Sequence, residues 1–238
     1  MAKERYHSAY IYLNEDYYKK PKFMYMHVAE KIKSSLKGKK SDSPVSILDI
    51  GCSRGEFLYY IKNNIKFDSM AGVDFSQVLI KKARGFKGLA GVEFFCDLAE
   101  SFKLKEKFDV ITMIGVLSYF DNVEALLKNL KRHLKKDGSA FITGIFNKYD
   151  IDVITRYRNN KYSSKFQPGW NNISLTTFSK QLNNIGLKVR NTSKFILPFD
   201  CRRAKDPSRS WTALTDEGKK YVNGLGMIYD IYTVKIGF

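Results

Sequence analysis

Short apolar runs alternate with amphipathic segments along the first two thirds of the chain. Runs rich in Val, Ile, Leu and Phe predict buried strands at 45–51, 70–76, 92–97, 108–115 and 139–146. Apolar residues at helical spacing predict helices at 21–37, 56–65 and 122–138. Strands that alternate with helices about every 25 residues are typical of a parallel α/β sheet.

Residues with strong positional preferences mark the ends of two of these helices. Pro21 suits the first turn of a helix. Asp121 and Glu124 have the spacing of a capping box, which predicts that the helix at 122–138 begins there. The segment 38–44 is rich in residues that break helices and predicts a linker before the first strand.

The pattern changes after residue 150, where a polar, aromatic and basic segment extends to about residue 175. The elements predicted beyond it are a helix, a strand, a hairpin and a last strand, at 175–186, 187–197, 209–224 and 226–238. Residues 215–218 form the predicted turn of the hairpin. The two late strands, joined through an insertion, predict an antiparallel pair that closes the sheet.

Composition excludes several classes of protein. Apolar residues make up 44% and aromatic residues 14% of the 238 residues, which is too much for bulk disorder. No run approaches the about 18 apolar residues of a membrane span, and the first residues lack the apolar segment of a secretory signal. The three cysteines Cys52, Cys96 and Cys201 lie far apart, so neither a disulfide scaffold nor a zinc site is expected. A reduced, cytoplasmic compartment is the simplest interpretation.

The chain is strongly basic, with a net charge of +17. Residues 151–238 carry 15 basic and 6 acidic residues, a net +9, and six of the ten arginines. The charge is compatible with a phosphate-bearing partner, although most of the lysines are also explained by a solvated surface. Positive charge is therefore concentrated in the segment after the fifth strand.

The clearest motif lies where the first strand ends, at residues 49–55, Asp-Ile-Gly-Cys-Ser-Arg-Gly. Glycine lets the chain turn sharply there and lets a ligand approach the backbone. The helix that follows offers free N–H groups at its N-terminus. A dinucleotide site of the usual type would have glycine at position 56, where this chain has Glu56.

Three further pieces lie at the ends of the next strands. Asp74, 23 residues after Gly51, could accept hydrogen bonds from both hydroxyls of a ribose. Asp97 lies where an exocyclic amine could bind, and residues 113–116 could form an apolar wall for a flat base. Each piece alone also fits a turn aspartate or a core strand. Together they follow the carboxyl ends of successive strands, where open α/β sheets bind ligands.

These residues resemble the class I S-adenosylmethionine-dependent methyltransferases. The resemblance covers residues 45–146, and Ser53 stands where the family usually has a middle glycine. It implies a Rossmann-like, seven-stranded and mostly parallel sheet, with an N-terminal helical lid at 1–44 and one methyltransferase domain at 45–238. Elaborations for substrate are expected at about 150–175 and 197–225, the second of them inserted between the last two strands.

The resemblance also implies the cofactor and the residues that hold it. The cofactor would be S-adenosylmethionine, with S-adenosylhomocysteine as product, and its methyl group would transfer by in-line displacement. The residues assigned to cofactor binding are Asp49, Gly51, Cys52, Ser53, Gly55, Asp74, Phe75, Ser76, Asp97, Leu98, Ile114 and Gly115.

No catalytic residue stands out. Tyr12, in a cluster of tyrosines near the N-terminus, either helps to cover the cofactor or packs the terminus down. His27 either belongs to the core or overhangs the cofactor, whereas His133, in a lysine-rich segment, is expected to be solvated. No metal is expected, because the pair Asp121–Asn122 is better explained as a helix start.

The tail is similar to methyltransferases of bacterial capsule and surface-polysaccharide clusters, in the segments 150–158, 167–170 and 205–212. Arginine forks bind phosphate and tryptophan offers a flat face for a sugar or a base. The residues assigned to the acceptor are Arg156, Arg158, Trp170, Arg202, Arg203, Arg209 and Trp211.

Three functions remain open from the sequence. The first is O-methylation of a small, anionic, phosphate-bearing or sugar precursor of a surface polysaccharide. The second is an RNA or DNA methyltransferase, favoured by the charge but lacking the motifs for amino or C5 methylation. The third is a non-enzymatic binding module, against which the complete set of Asp49, Gly51, Asp74 and Asp97 argues.

Overall fold

The computed structural model describes residues 17–37, 44–160, 164–203, 205 and 209–238. The helices are α1 (Phe23–Leu36), α2 (Glu56–Lys62), α3 (Gln77–Gly85), α4 (Glu124–His133) and α5 (Leu175–Asn184). The strands of the first half are β1 (Ser46–Ile50), β2 (Ser69–Asp74), β3 (Glu93–Cys96), β4 (Phe108–Ile114) and β5 (Leu134–Asn147). Those of the second half are β6 (Arg156–Tyr157), β7 (Gln167–Pro168), β8 (Ile173–Ser174), β9 (Lys188–Phe195), β10 (Trp211–Thr215), β11 (Gly218–Val222) and β12 (Ile228–Gly237).

One mixed sheet organises the molecule. Its order is β10-β11-β12-β5-β4-β1-β2-β3, with β9 paired to β12 and β8 paired to β5. Strands β1 to β5 are parallel to one another, and β12 runs antiparallel to both β5 and β9. The prediction of a mostly parallel Rossmann-like sheet is confirmed. The count of seven strands is wrong, because the hairpin β10–β11 and the short β8 extend the sheet to ten.

The strands β1 and β4 lie in the middle of the sheet because they are apolar on both faces. Ile47 packs toward α1, α2 and α3 on one face, whereas Leu48 and Ile50 pack toward α4 and α5 on the other. Helix α1 buries Tyr25, Val28, Ala29 and Ile32, a stripe at helical spacing. No helix among the described residues is long and apolar enough to cross a membrane.

Two local predictions around α4 were wrong. The helix begins at Glu124 with Val123, and not Asp121, at its N-cap position, and the Asn122 side-chain oxygen accepts a hydrogen bond from the Glu124 N–H at 2.8 Å. Asp121 instead forms an ion pair with Arg156. The helix also ends at His133, since the next residues already belong to β5.

His133 is buried and not solvated. Its ring stacks on Phe102 and lies 2.8 Å from the Asn129 carbonyl, and it accepts a hydrogen bond from the Leu104 N–H at 3.1 Å. Burial lowers the pKa of His133, so the ring packs as a neutral group. The burial of His133 was not predicted because lysines flank it in the sequence. His133 nevertheless lies on the apolar stripe of a helix whose other positions are mostly charged.

Candidate active site

The loop after β1 is a tight turn with three residues in the left-handed region. Gly51, Ser53 and Gly55 have φ of 76°, 52° and 81°. The Gly51 and Cys52 N–H groups both donate to the Val73 carbonyl, at 2.7 and 3.0 Å. These bonds tie the loop to the end of β2. A β-carbon at Gly51 would lie 2.2 Å from a Val116 methyl, so glycine is required there by its neighbours as well as by its backbone.

Asp74 joins two loops. One carboxylate oxygen accepts a hydrogen bond from the Ser53 N–H and the other from the Ser76 N–H, each at 2.9 Å. The side chain is buried, and burial raises its pKa, while the two N–H donors act in the opposite direction. Each carboxylate oxygen has further lone pairs, so Asp74 can hold the loops and still accept hydrogen bonds from a ligand.

A cluster of buried carboxylates surrounds the loop. Asp49 accepts a hydrogen bond from the Thr112 hydroxyl at 2.7 Å, and burial raises its pKa to about 7. Glu56 pairs with Arg54 at 2.7 Å, and both are buried. Asp49, Glu56 and Asp74 therefore form a cluster of three carboxylates, of which Glu56 is paired with a guanidinium group. This imbalance favours a positively charged ligand.

The cysteine in this loop is a packing residue. Cys52 is buried, and burial and the nearby carboxylates raise the pKa of its thiol, so it stays protonated. Its sulfur lies close to Gly72, where a β-carbon would come within 2.7 Å of it.

Apolar side chains flank the ends of β2, β3 and β4. Phe75 and Leu98 are 37% and 38% exposed, and Ile114 is half-buried. Asp97 is exposed; its N–H donates to the Asp74 carbonyl at 3.1 Å, and its carboxylate accepts from the Leu98 N–H at 2.7 Å. Exposed apolar groups beside a carboxylate suit a flat heterocycle that carries an amine.

Two features are compatible with a ligand at this edge of the sheet. Gly115, with φ 74°, has no atom within 4 Å of the position where a β-carbon would lie. The Ser53 hydroxyl oxygen is buried and has no hydrogen-bond partner among the described residues. An unsatisfied polar atom in the loop after β1 and open space in the loop after β4 are compatible with a ligand at this edge.

Some residues of the site were not predicted from the sequence. Arg54, Glu56 and Thr112 form the buried polar contacts of the loop, yet Thr112 lies within an apolar run and nothing in the motif marks it. Tyr18 was also missed. Its hydroxyl donates to the Arg54 carbonyl and its ring stacks on Phe86, 3.9 Å between centroids.

The structure describes only one of the two catalytic candidates. Tyr12 lies outside the described residues. His27 is half-buried on α1, with its ring edge against Phe195 and Nε2 at 3.4 Å from the Ser193 hydroxyl oxygen. Burial and the nearby Lys31 lower its pKa. The ring therefore packs between α1 and β9.

The acceptor candidates fall into two groups. In the first, Arg156 pairs with Asp121, and the Trp170 indole N–H donates to the Tyr119 hydroxyl at 3.1 Å. Tyr119 follows the end of β4, so this group lies close to the loop after β4 that contains Gly115. Arg158 lies over the Phe166 ring, 5.1 Å from its centroid.

The second group belongs to the insertion between β9 and β12. The Arg203 guanidinium lies over Trp211, 5.3 Å from the ring centroid. Arg202 is exposed and Arg209 is half-buried. Trp170 packs on an apolar cluster of Ile145, Phe195, Tyr221 and Tyr229, in which Tyr221 belongs to β11 and Tyr229 to β12.

Comparison with known proteins gives a consistent picture. Residues 23–192 match the model of a family described as a methyltransferase domain. Malonyl-[acyl-carrier protein] O-methyltransferase of Bacillus cereus is 29% identical over 112 residues, which cover 47% of this chain and 42% of that protein. The chain spans less than half the length of the first curated relatives that it matches.

Two solved structures share the fold. An S-adenosylmethionine-dependent methyltransferase from Clostridium acetobutylicum superimposes with a TM-score of 0.61 at 13% identity, covering 100% of this chain and 99% of that one. The plantazolicin methyltransferase BpumL, solved with a triazolic desmethylPZN analog and SAH, gives a TM-score of 0.58 at 16% identity, covering 92% of this chain and 86% of that one.

Proposed function

The chain belongs to the methyltransferase-domain family, and from that premise we propose that it is an S-adenosylmethionine-dependent methyltransferase. The observation that carries this proposal is the arrangement around Asp74. A single buried carboxylate holds the loops after β1 and β2 together and keeps lone pairs for a ligand, at the same edge of the sheet as the open space at Gly115. Structural relatives solved with S-adenosylhomocysteine support the same cofactor.

Each part of the cofactor has matching groups at this edge of the sheet. The backbone of residues 51–55 would face the amino-acid portion, and Asp74 would accept the ribose hydroxyls. Asp97, with the Leu98 backbone, would bind the adenine, and Phe75 and Ile114 would pack on its faces. When bound, S-adenosylmethionine supplies a methyl group on a positively charged sulfur. The buried carboxylates of Asp49, Glu56 and Asp74 favour that charge.

Cofactor affinity should depend on pH through Asp49. Its pKa is about 7, so the side chain is neutral below that pH and negatively charged above it. Because a carboxylate attracts the cationic cofactor, the affinity for S-adenosylmethionine should increase as pH rises through 7. Equilibrium dialysis from one pH unit below this value to one above it measures the effect.

The variant Asp49→Asn cannot titrate at this position, so its affinity profile should be flatter. Asp68→Asn is the matched control, because Asp68 is exposed at the opposite edge of the sheet, where it accepts a hydrogen bond from the Val45 N–H. The same slope in Asp49→Asn as in the native chain would exclude Asp49 as the titrating group.

For the acceptor, we propose a small anion, such as a phosphate-bearing or sugar precursor of a surface polysaccharide, methylated on oxygen. Exposed Arg202 and the Arg203–Trp211 pair support an anionic acceptor with a flat apolar part. Arg156 is less available, because Asp121 already neutralises it. An acceptor oxygen that is already deprotonated needs no general base.

The second candidate function is RNA methylation, favoured by the net charge of +17 and its excess in the last third of the chain. One experiment separates the two. The protein is incubated with a cell extract and S-adenosylmethionine labelled on the methyl group, and the products are fractionated into small molecules, glycans, protein and nucleic acid.

Label in nucleotide sugars or glycans is the expected result. Label in RNA would replace the small-acceptor proposal with the second candidate. No label in any fraction, although the protein binds S-adenosylhomocysteine, would contradict methyl transfer to an acceptor in that extract. An Asp74→Ala protein is the control for label transferred by the extract's own enzymes.

A further inference from the structure

The sheet face beneath α1 changes from apolar to polar along its length. Near the carboxyl edge, one row of directly paired residues crosses the three strands β5, β12 and β9 with Ile145, Ile231 and Phe195. The next row on the same face consists of Thr143, Thr233 and Ser193, and the one after it of Phe141, Lys235 and Asn191. A sheet face that a helix covers is ordinarily apolar, so these polar rows require an explanation.

Some of the polar side chains in these rows have hydrogen-bond partners within the protein. The hydroxyl oxygens of Thr143 and Thr233 lie 2.8 Å apart, and both side chains are buried. The Ser193 hydroxyl lies 3.4 Å from both the Thr233 carbonyl and the His27 ring. Among the described residues, the ammonium group of Lys235, one row further from the carboxyl edge, has no such partner.

A groove of about 340 Å³ opens between these rows and the second half of α1. It is lined by Lys31, Ser34, Ser35, Phe141, Asn191, Ser193, Thr233 and Lys235. The lining therefore combines two ammonium groups with four hydroxyl groups, an amide and one aromatic ring. No carboxylate lines the groove among the described residues.

The two lysines of the groove are half-buried and have no ion-pair partner within the described parts of the chain. Lys33, on the same helix, differs because it pairs with Glu30 at 3.1 Å. Two ammonium groups that face one concave, hydroxyl-lined space repel each other unless an anion lies between them. Serine, threonine and asparagine side chains supply further donors for such an anion.

The groove is separate from the cofactor edge. Met24, in the first turn of α1, packs on the apolar cluster at the carboxyl end of β5, whereas Lys31, Ser34 and Ser35 belong to the second half of the helix. The row of Ile145, Ile231 and Phe195 lies between the two places.

We propose that this groove binds a small phosphate-bearing anion between Lys31 and Lys235. The phosphate would accept hydrogen bonds from both lysines and from the serine and threonine hydroxyl groups, and Phe141 would contact the remainder of the molecule. The phosphate could belong to inorganic phosphate or to a sugar phosphate, which share this chemistry.

Isothermal titration calorimetry of the full chain tests the proposal, with inorganic phosphate, glucose 6-phosphate and glucose as probes. We expect both phosphate compounds to bind and glucose not to bind. Tighter binding of glucose 6-phosphate would identify a sugar phosphate as the ligand class, and equal binding would identify phosphate alone. Saturating S-adenosylhomocysteine should leave the affinities unchanged.

The double variant Lys31→Gln/Lys235→Gln should weaken phosphate binding by at least about tenfold, because it removes both charged donors. Its control, Lys81→Gln/Lys82→Gln, makes the same change of net charge on the exposed side of α3 and should bind as the native chain does. If the double variant does not fold, each single variant should still lose affinity. Equal loss in the control, competition by S-adenosylhomocysteine, or no binding to the native chain would overturn the proposal.

Discussion

Replacing Asp74 with alanine should weaken cofactor binding by about 10- to 100-fold, since hydrogen bonds to a charged group are worth about 1.5–3 kcal/mol. Two losses combine in this variant. The ribose would lose its carboxylate acceptor, and the Ser53 and Ser76 N–H groups would lose the oxygen atoms that now hold their loops. Titration with S-adenosylhomocysteine, followed by calorimetry, measures the change directly.

Two further variants serve as comparisons. Asp74→Asn keeps one acceptor oxygen but places an amide donor against the other loop, so it should also bind weakly while remaining folded. Asp68→Ala removes a carboxylate that likewise accepts a backbone hydrogen bond, but at the opposite edge of the sheet. Native affinity in Asp74→Ala would contradict the assignment of the site, and reduced affinity in Asp68→Ala would point to a general effect on the fold.

The cofactor edge could be predicted because its requirements are local. Gly51 and Gly55 adopt left-handed backbone that few other residues tolerate, and Asp74 ends a buried strand, where a carboxylate has little structural reason to be. Such residues stand out in an apolar sequence. Their spacing follows from parallel strands joined by helices, which brings the strand ends to one edge.

The partners of the tail residues could not be predicted, because they depend on contacts between distant segments. Arg156 pairs with Asp121, which lies 35 positions earlier in the chain, and Trp170 donates a hydrogen bond to Tyr119, which lies 51 positions earlier. The guanidinium group of Arg156 and the flat ring of Trp170 led to their assignment to the acceptor, yet composition does not tell which arginine already has a carboxylate beside it. The buried state of His133 was missed for the same reason, since Leu104 lies 29 residues away.

The polar groove beneath α1 could not be predicted from the sequence either. Thr233 and Lys235 alternate with apolar residues in β12, which is the pattern of a strand with one face in solvent. Only the pairing with β5 and β9 shows that α1 lies over this face. The unusual feature is therefore the position of ordinary residues, which no local motif encodes.

Replacing Gly51 with alanine should destabilise the protein by about 2–5 kcal/mol, the sum of two effects. Left-handed backbone costs a residue with a β-carbon about 1–2 kcal/mol. Overpacking adds about 1–3 kcal/mol, because the new β-carbon would lie 2.2 Å from Val116 Cγ2. Urea unfolding, followed by the fluorescence of Trp170 and Trp211, gives the free energy of unfolding.

Two comparisons isolate the steric effect. Gly91 has φ of 84° and open space around its β-carbon position, so Gly91→Ala should lose only the backbone portion. Val116→Ala removes the methyl group that would clash, so the double variant Gly51→Ala/Val116→Ala should be more stable than the sum of the single changes predicts. Strict additivity would mean that the two loops are not in contact. A favourable coupling of about 1–3 kcal/mol would show that the ends of β1 and β4 pack directly against each other, which the proposed cofactor cleft requires.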